Sequence, residues 1–116
     1  MTEDAASAHD DIAAARESIA RRLEEAGSVV LTTHVTPDGD GLGSAIALCR
    51  HLRRRGKEAM VINCSSVPHD LRWLYERGEF QVYNGARHEK RVLEADAVVA
   101  TDIGGSQRLG KMLDPI

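Results

Sequence analysis

The stretch Val29 to Ser44, VVLTTHVTPDGDGLGS, constrains the fold more than any other part of this chain. Val29, Val30, Leu31, Thr32 and Thr33 form a short β-branched and apolar run, with Gly27 before it and Pro37 and Gly39 after it, and such a run predicts a strand. Beyond the turn, Leu42, Ile46, Cys49 and Leu52 recur at spacings of three and four, which predicts an amphipathic helix ending at Gly56. Gly41 and Gly43 let that helix start close to the turn. His34 therefore stands at the carboxyl end of a strand, the side on which open α/β sheets bind their ligands.

The remaining sequence repeats the alternation. Residues 1 to 9 are polar and are expected to be mobile, after which Asp10 or Asp11 caps a helix carrying Ile12, Ile19 and Leu23 that stops near Gly27. Ala59 to Asn63 reads as a second strand, completing a β-α-β unit. After the turn Ser65 to Pro68, a helix bearing Leu71, Trp73 and Leu74 is expected to run to Gly78, and Phe80, Val82 and Tyr83 suggest a short strand. A helical stretch over 87–95, a strand Ala97 to Thr101 and a helix carrying Leu109, Met112 and Leu113 follow. The economical topology is an α/β fold: a mostly parallel, Rossmann-like sheet with helices on both faces. At 116 residues the chain is one domain or part of one.

A net charge of −3 excludes a global basic footprint for nucleic acid. Any nucleotide contact has to be local, through a set such as Arg50, Arg53, Arg54, Arg55 and Lys57, although a basic run at a helix end is more often a solvated face that complements the helix dipole. Cys49 and Cys64 lack C-x-x-C spacing, so reduced thiols and a cytoplasmic address are expected. No segment has the apolar length of a membrane span, and the amino terminus lacks the pattern of a signal peptide.

The chemistry concentrates on the turn. His34, Asp38 and Asp40 form an H-x-x-x-D-x-D set. Taken singly, His34 reads as a hydrogen-bonded strand-end histidine and each aspartate as an Asx-turn or N-cap residue, both commoner than metal ligation. Together they concentrate more negative charge than capping requires, and a hard divalent cation with oxygen ligands and one imidazole fits them better. Asp102 ends the later strand, just before Gly104 and Gly105. If the two strands are parallel neighbours, Asp102 faces the same crevice and one carboxylate can bridge two ions, while a cap for the helix near Ser106 is an equal reading of that residue alone. A fragment that only self-associates is one alternative, and a nucleotide-binding module without catalysis is another, since Gly39, Gly41 and Gly43 superficially suggest a phosphate loop. Their spacing departs from the dinucleotide fingerprint, and Asp38 and Asp40 repel a phosphate unless a cation intervenes.

The segment THVTPDGDGLGSAIAL resembles the first motif of the DHH phosphoesterase family, in its branch of nanoRNases, oligoribonucleases that also remove phosphate from phosphoadenosine phosphate. VPHDLRWL, from Val67 to Leu74, resembles that branch's loop and helix after the second strand. TDIGGSQRLG, from Thr101, resembles its second motif, with Asp102 in the acidic place and Arg108 in the basic one. The resemblance implies a site for two divalent ions, manganese with magnesium as a substitute, in which His34 and Asp38 hold one, Asp40 the other, and Asp102 bridges them. It implies hydrolysis of short RNA oligonucleotides, phosphoadenosine phosphate or linear and cyclic dinucleotides. The family's Asp-His-His motif and its carboxyl-terminal substrate domain do not occur in this sequence. Residues 10–116 are accordingly expected to be the front portion of a truncated catalytic domain, inactive alone, whose uncovered sheet edge favours self-association, as in a homodimer.

Overall fold

A computed structural model describes residues 3–112 and 116. Four strands, β1 (Ser28–Thr32), β2 (Glu58–Asn63), β3 (Phe80–Val82) and β4 (Ala97–Ala100), form one sheet in the order β3-β2-β1-β4. Every neighbouring pair is parallel. Parallel neighbours need crossovers, and α2 (Gly39–Arg54), the 3-10 helix His69–Leu74 and α3 (Gly85–Glu94) supply them in turn. The order reverses between β1 and β4, so the carboxyl ends of those two strands flank a topological switch point. This is the expected α/β arrangement.

Alternation along the strands divides the core into two layers. Val29 and Leu31 of β1 and Ala59 and Val61 of β2 face α2, whose Leu42, Ala45, Ile46, Cys49 and Leu52 are buried against them. Val30 and Ile62 point the other way and pack with Val92 of α3 and with Leu109. Helical segments therefore cover both faces. β4 forms one edge of the sheet, and its apolar sequence Ala-Val-Val-Ala is only half-buried, consistent with the expected uncovered edge. An open groove lined by Ile19, Leu23, Ala26, Ala97, Val98 and Val99 runs beside it.

Several boundaries differ from expectation. α1 spans Glu3–Glu25 and begins well before Asp10 and Asp11. The alanines of that stretch give it helical propensity, so a helix there does not need the apolar spacing that marks a buried one. Ile12 and Ile19 are accordingly about half exposed, at 50% and 55%, whereas Leu23 packs on the core. The segment after Pro68 is a single short 3-10 helix, and the chain turns extended at Tyr75 instead of continuing to Gly78. With three residues per turn, Leu71 and Leu74 share a face and both pack on the core, which turns Trp73 outward. The last segment, Ser106–Met112, is also 3-10 and is broken at Gly110, where φ is 57°. A Cβ at Gly110 would press on Val35 and Cys64. Leu113, expected on this helix, lies outside the described residues, as does the Met112 side chain. No described helix is long and apolar enough to cross a membrane.

Candidate metal centre

The strand end that carries His34 is fixed by polar side chains with no freedom to turn elsewhere. Asn63, at the tip of β2 and fully buried, accepts hydrogen bonds from the Thr32 hydroxyl (2.8 Å) and the Thr33 N–H (3.0 Å). Its amide donates to the His34 carbonyl at 3.2 Å. From the other side, Thr33 Oγ1 donates to the Thr101 carbonyl (2.8 Å), and Thr101 Oγ1 donates to the Gly41 carbonyl (3.0 Å). β1, β2, β4 and the first turn of α2 are thus tied together around one point. Asn63 and Thr33 were not among the sequence candidates. A polar residue closing an apolar strand, as Asn63 closes Glu-Ala-Met-Val-Ile-Asn, is the signal that would have found the first of them.

Asp38 is the N-cap of α2, and its Oδ1 accepts from the Gly41 N–H at 2.8 Å. That bond holds the Asp38 carboxyl below the usual carboxylate range, burial acting against it and the His34 ring adding to it. Gly41 has to be glycine, because a Cβ there would collide with the Thr33 hydroxyl and lie 3.3 Å from His34 Nε2. The helix start can approach the strand end only without that carbon. Asp102 follows β4 with φ 52°, the left-handed region that Asp tolerates better than most residues, and Thr36 shares that conformation at φ 51°. For a β-branched residue this is a strained geometry, and strain of this kind gathers at functional turns.

The result is a convergence of acceptors. His34 is 6% exposed, and its Nδ1 lies 2.8 Å from the Val35 carbonyl oxygen. A carbonyl only accepts, so Nδ1 carries the proton, and in the neutral ring Nε2 presents a lone pair. Nε2 faces Asp38 Oδ1 and Asp102 Oδ2, each at 3.5 Å. The three residues each offer a ligand atom within 4.8 Å of the others, and they are the one such group found among the described residues. An imidazole and two carboxylates, with the second ring nitrogen anchored on a backbone carbonyl, is a donor set suited to a divalent cation. β1 and β4 are parallel neighbours, the condition on which Asp102 was expected to join His34. Asp40 sits exposed in the first turn of α2, outside this group.

Four residues of the basic run at the other end of α2 are occupied structurally, while Arg54 stays exposed. Arg50 pairs with Glu79 at 2.7 Å, Arg53 donates to the Ala59 and Gly78 carbonyls, Arg55 pairs with Glu24, and Lys57 donates to the Glu24 and Ala26 carbonyls. Cys49 and Cys64 are free, and burial pushes both thiols up, away from the reactive thiolate.

No protein-family model matches the chain. Over 54 residues, 47% of its length, it is 41% identical to the bifunctional oligoribonuclease and PAP phosphatase NrnA of Thermus thermophilus, of which it covers 16%. Among solved structures, it is similar to an exopolyphosphatase-related protein from Bacteroides fragilis, with a TM-score of 0.76 and 27% identity over 85% of this chain. It spans 30% of that protein. The strand-turn-helix motif around His34, the parallel sheet that brings Asp102 to it, and these two likenesses support the resemblance of the chain to the amino-terminal part of a DHH-family phosphoesterase.

Proposed function

We propose that this chain contributes the cation-binding front of a manganese-dependent phosphoesterase acting on short oligoribonucleotides or small nucleotides, residues 10–116 being the amino-terminal portion of its catalytic domain. The observation that carries the reading is the convergence of one imidazole and two carboxylates, His34 Nε2, Asp38 Oδ1 and Asp102 Oδ2, whose ligand atoms all lie within 4.8 Å of one another. In the neutral-ring state their lone pairs repel, and a cation at their centre removes the repulsion. His34, Asp38 and Asp102 would hold a first divalent ion, and Asp40, in the first turn of α2, would serve a second together with Asp102. When bound, such ions acidify a water, orient the phosphate and stabilise the leaving oxygen. The aspartates act as ligands and do not attack the phosphate. Magnesium is the substitute metal.

Four side chains fall short of the six or more ligands that two hard cations each prefer, so the chain by itself is expected to hydrolyse these substrates no faster than a metal-only control. The free thiols fit a reducing, cytoplasmic compartment, and the uncovered β4 edge fits association of two copies. The test is binding of a short diadenylate. It should bind in manganese, be released by a chelator, and fail to bind the His34→Ala variant. Binding indifferent to the chelator would replace this reading with that of a nucleotide-binding module that needs no metal.

A further inference from the structure

His88 is buried, 4% exposed, and takes no part in the cation cluster. It stands in the first turn of α3, just after the chain leaves β3, and both of its ring nitrogens are engaged. Nδ1 lies 2.8 Å from the Asn84 N–H. A backbone N–H only donates, so Nδ1 holds a lone pair and the proton of the neutral ring is on Nε2. Nε2 donates to the Gln81 side-chain oxygen at 2.6 Å. The ring therefore has the tautomer opposite to that of His34, and it joins a side chain of β3 to the cap of α3.

This arrangement admits only the neutral ring. Protonation puts a hydrogen on Nδ1 facing the Asn84 N–H, and two donors cannot share that contact. Nothing nearby offsets a positive charge. Burial, and then the Arg87 and Arg91 cations of α3, hold the ring below the ordinary histidine value of 6.5. From the strand side it meets Gln81 and the Tyr83 ring, whose centroid is 6.2 Å away, both uncharged near neutral pH. None of the ion pairs among the described residues includes it.

What the ring holds is equally defined. The Asn84 side chain caps α3 on the Ala86 N–H, while the Asn84 N–H is held by His88. The preceding N–H, that of Tyr83, donates to the Asn63 carbonyl at 2.6 Å. Two successive peptides thus fasten this corner of the molecule, one to β2 and the other to a group that titrates. Behind the corner, Val92 of α3 packs with Val30 and Ile62.

We propose that His88 is an acid-sensitive latch: neutral, it fastens the first turn of α3 to β3, and protonated, it leaves its site and frees the corner. The latch is independent of the cation reading and stands or falls without it. Two-dimensional NMR of the unsubstituted chain between about pH 8 and pH 4 tests it, spanning the ordinary histidine range. The His88 ring should titrate at lower pH than the exposed His9, His51 and His69. Protection of the Asn84 N–H from exchange, corrected for the intrinsic rate, should fall at least about tenfold through the same midpoint. His88→Asn keeps an acceptor oxygen near the place of Nδ1 and has nothing to protonate, so in that variant the protection should not change with pH. The stability that the neutral ring contributes is present above about pH 6.5 and lost as pH falls through the lower folded value, and this loss should be absent from His88→Asn. Titration of His88 together with the exposed histidines overturns the latch, as does Asn84 protection that stays constant while the ring titrates. An equal loss of protection in His88→Asn also overturns it. If that variant does not fold, the two measurements on the unsubstituted chain decide the matter alone.

Discussion

At the amino end of α2, His34 Nε2, Asp38 Oδ1 and Asp102 Oδ2 gather two carboxylates around one imidazole, whereas at its carboxyl end Arg50, Arg53, Arg55 and Lys57 each reach an acceptor of the same chain and Arg54 stays exposed. Both ends are rich in charge. One is largely paired within the chain, and the other offers a ligand set for a cation. A surface on which charges are already paired has nothing left with which to bind, so the density of charged residues in a sequence is a poorer guide to function than the balance of donors and acceptors around them.

The contrast breaks most readily at the supports of the amino end. Asn63→Ala removes three hydrogen bonds from the Thr32–His34 strand end and leaves buried polar groups unpaired, so a stability loss of about 1–3 kcal/mol is expected. Because Asn63 orients the backbone of His34, manganese affinity should fall about 10- to 100-fold. Denaturant unfolding and calorimetric titration read the two effects separately. A loss of stability with manganese affinity intact would mean that the strand end tolerates movement and the site is less preorganised than its geometry suggests.

Gly41→Ala tests the close approach of helix to strand. The added carbon has to displace the Thr33 hydroxyl or lift the first turn of α2, and about 1–3 kcal/mol of overpacking is expected. Lifting that turn carries Asp38 away from His34, so manganese should bind about tenfold more weakly. Unaltered binding would show that the helix start can shift without moving its cap.

Glu79→Gln perturbs the opposite end and should leave manganese binding alone. The Glu79 side chain is buried and takes two hydrogen bonds from Arg50, and replacing charged bonds by neutral ones should lower stability by about 1 kcal/mol. The pH dependence follows from the same pair. The Arg50 guanidinium holds the Glu79 carboxyl below its ordinary value of 4.5. Its contribution to stability is therefore present in full above about that pH and is lost as pH falls through the lower folded value, where the carboxylate is protonated in the fold as well. Thermal unfolding between pH 3 and 6 should show a shallower acid decline in the variant. An identical decline would assign the acid sensitivity to other carboxylates, such as Asp96, which the Gly27 and Ser28 N–H groups hold below the usual range.

The same contrast explains what was legible in the sequence. β1, the turn and α2 were readable because local chemistry decides them: a β-branched run, Pro37, a capping Asp38 and an apolar stripe at helical spacing all agree. The pairing of Asp102 with His34 needed one tertiary fact, the parallel pairing of β1 and β4, and alternating elements made that a natural expectation. The start of α1 was misplaced because half of the helix is held by propensity and not by an apolar face, so the pattern that marks buried helices begins late. Trp73 was read with Leu71 and Leu74 as one of the apolar residues of an expected helix; the tighter 3-10 period stacks Leu71 and Leu74 on one face and leaves Trp73 off it, a difference that six residues of sequence do not reveal. The structural use of Arg50, Arg53 and Lys57 depends on carbonyls and a glutamate far along the chain, which periodicity does not register.

The most direct test separates the two duties of the carboxylates. Asparagine caps a helix about as well as aspartate and also tolerates the left-handed conformation, so Asp38→Asn combined with Asp102→Asn preserves the backbone demands of both positions while removing both charges from the cluster. Calorimetric titration of this double variant with manganese, beside the unsubstituted chain and with unfolding curves for both, is the decisive measurement. Convergence of acceptors as a cation site predicts unfolding curves that differ by no more than about 1 kcal/mol and manganese binding weakened at least about 100-fold. Manganese heats that match those of the unsubstituted chain would contradict it and reduce Asp38 and Asp102 to a helix cap and a turn residue.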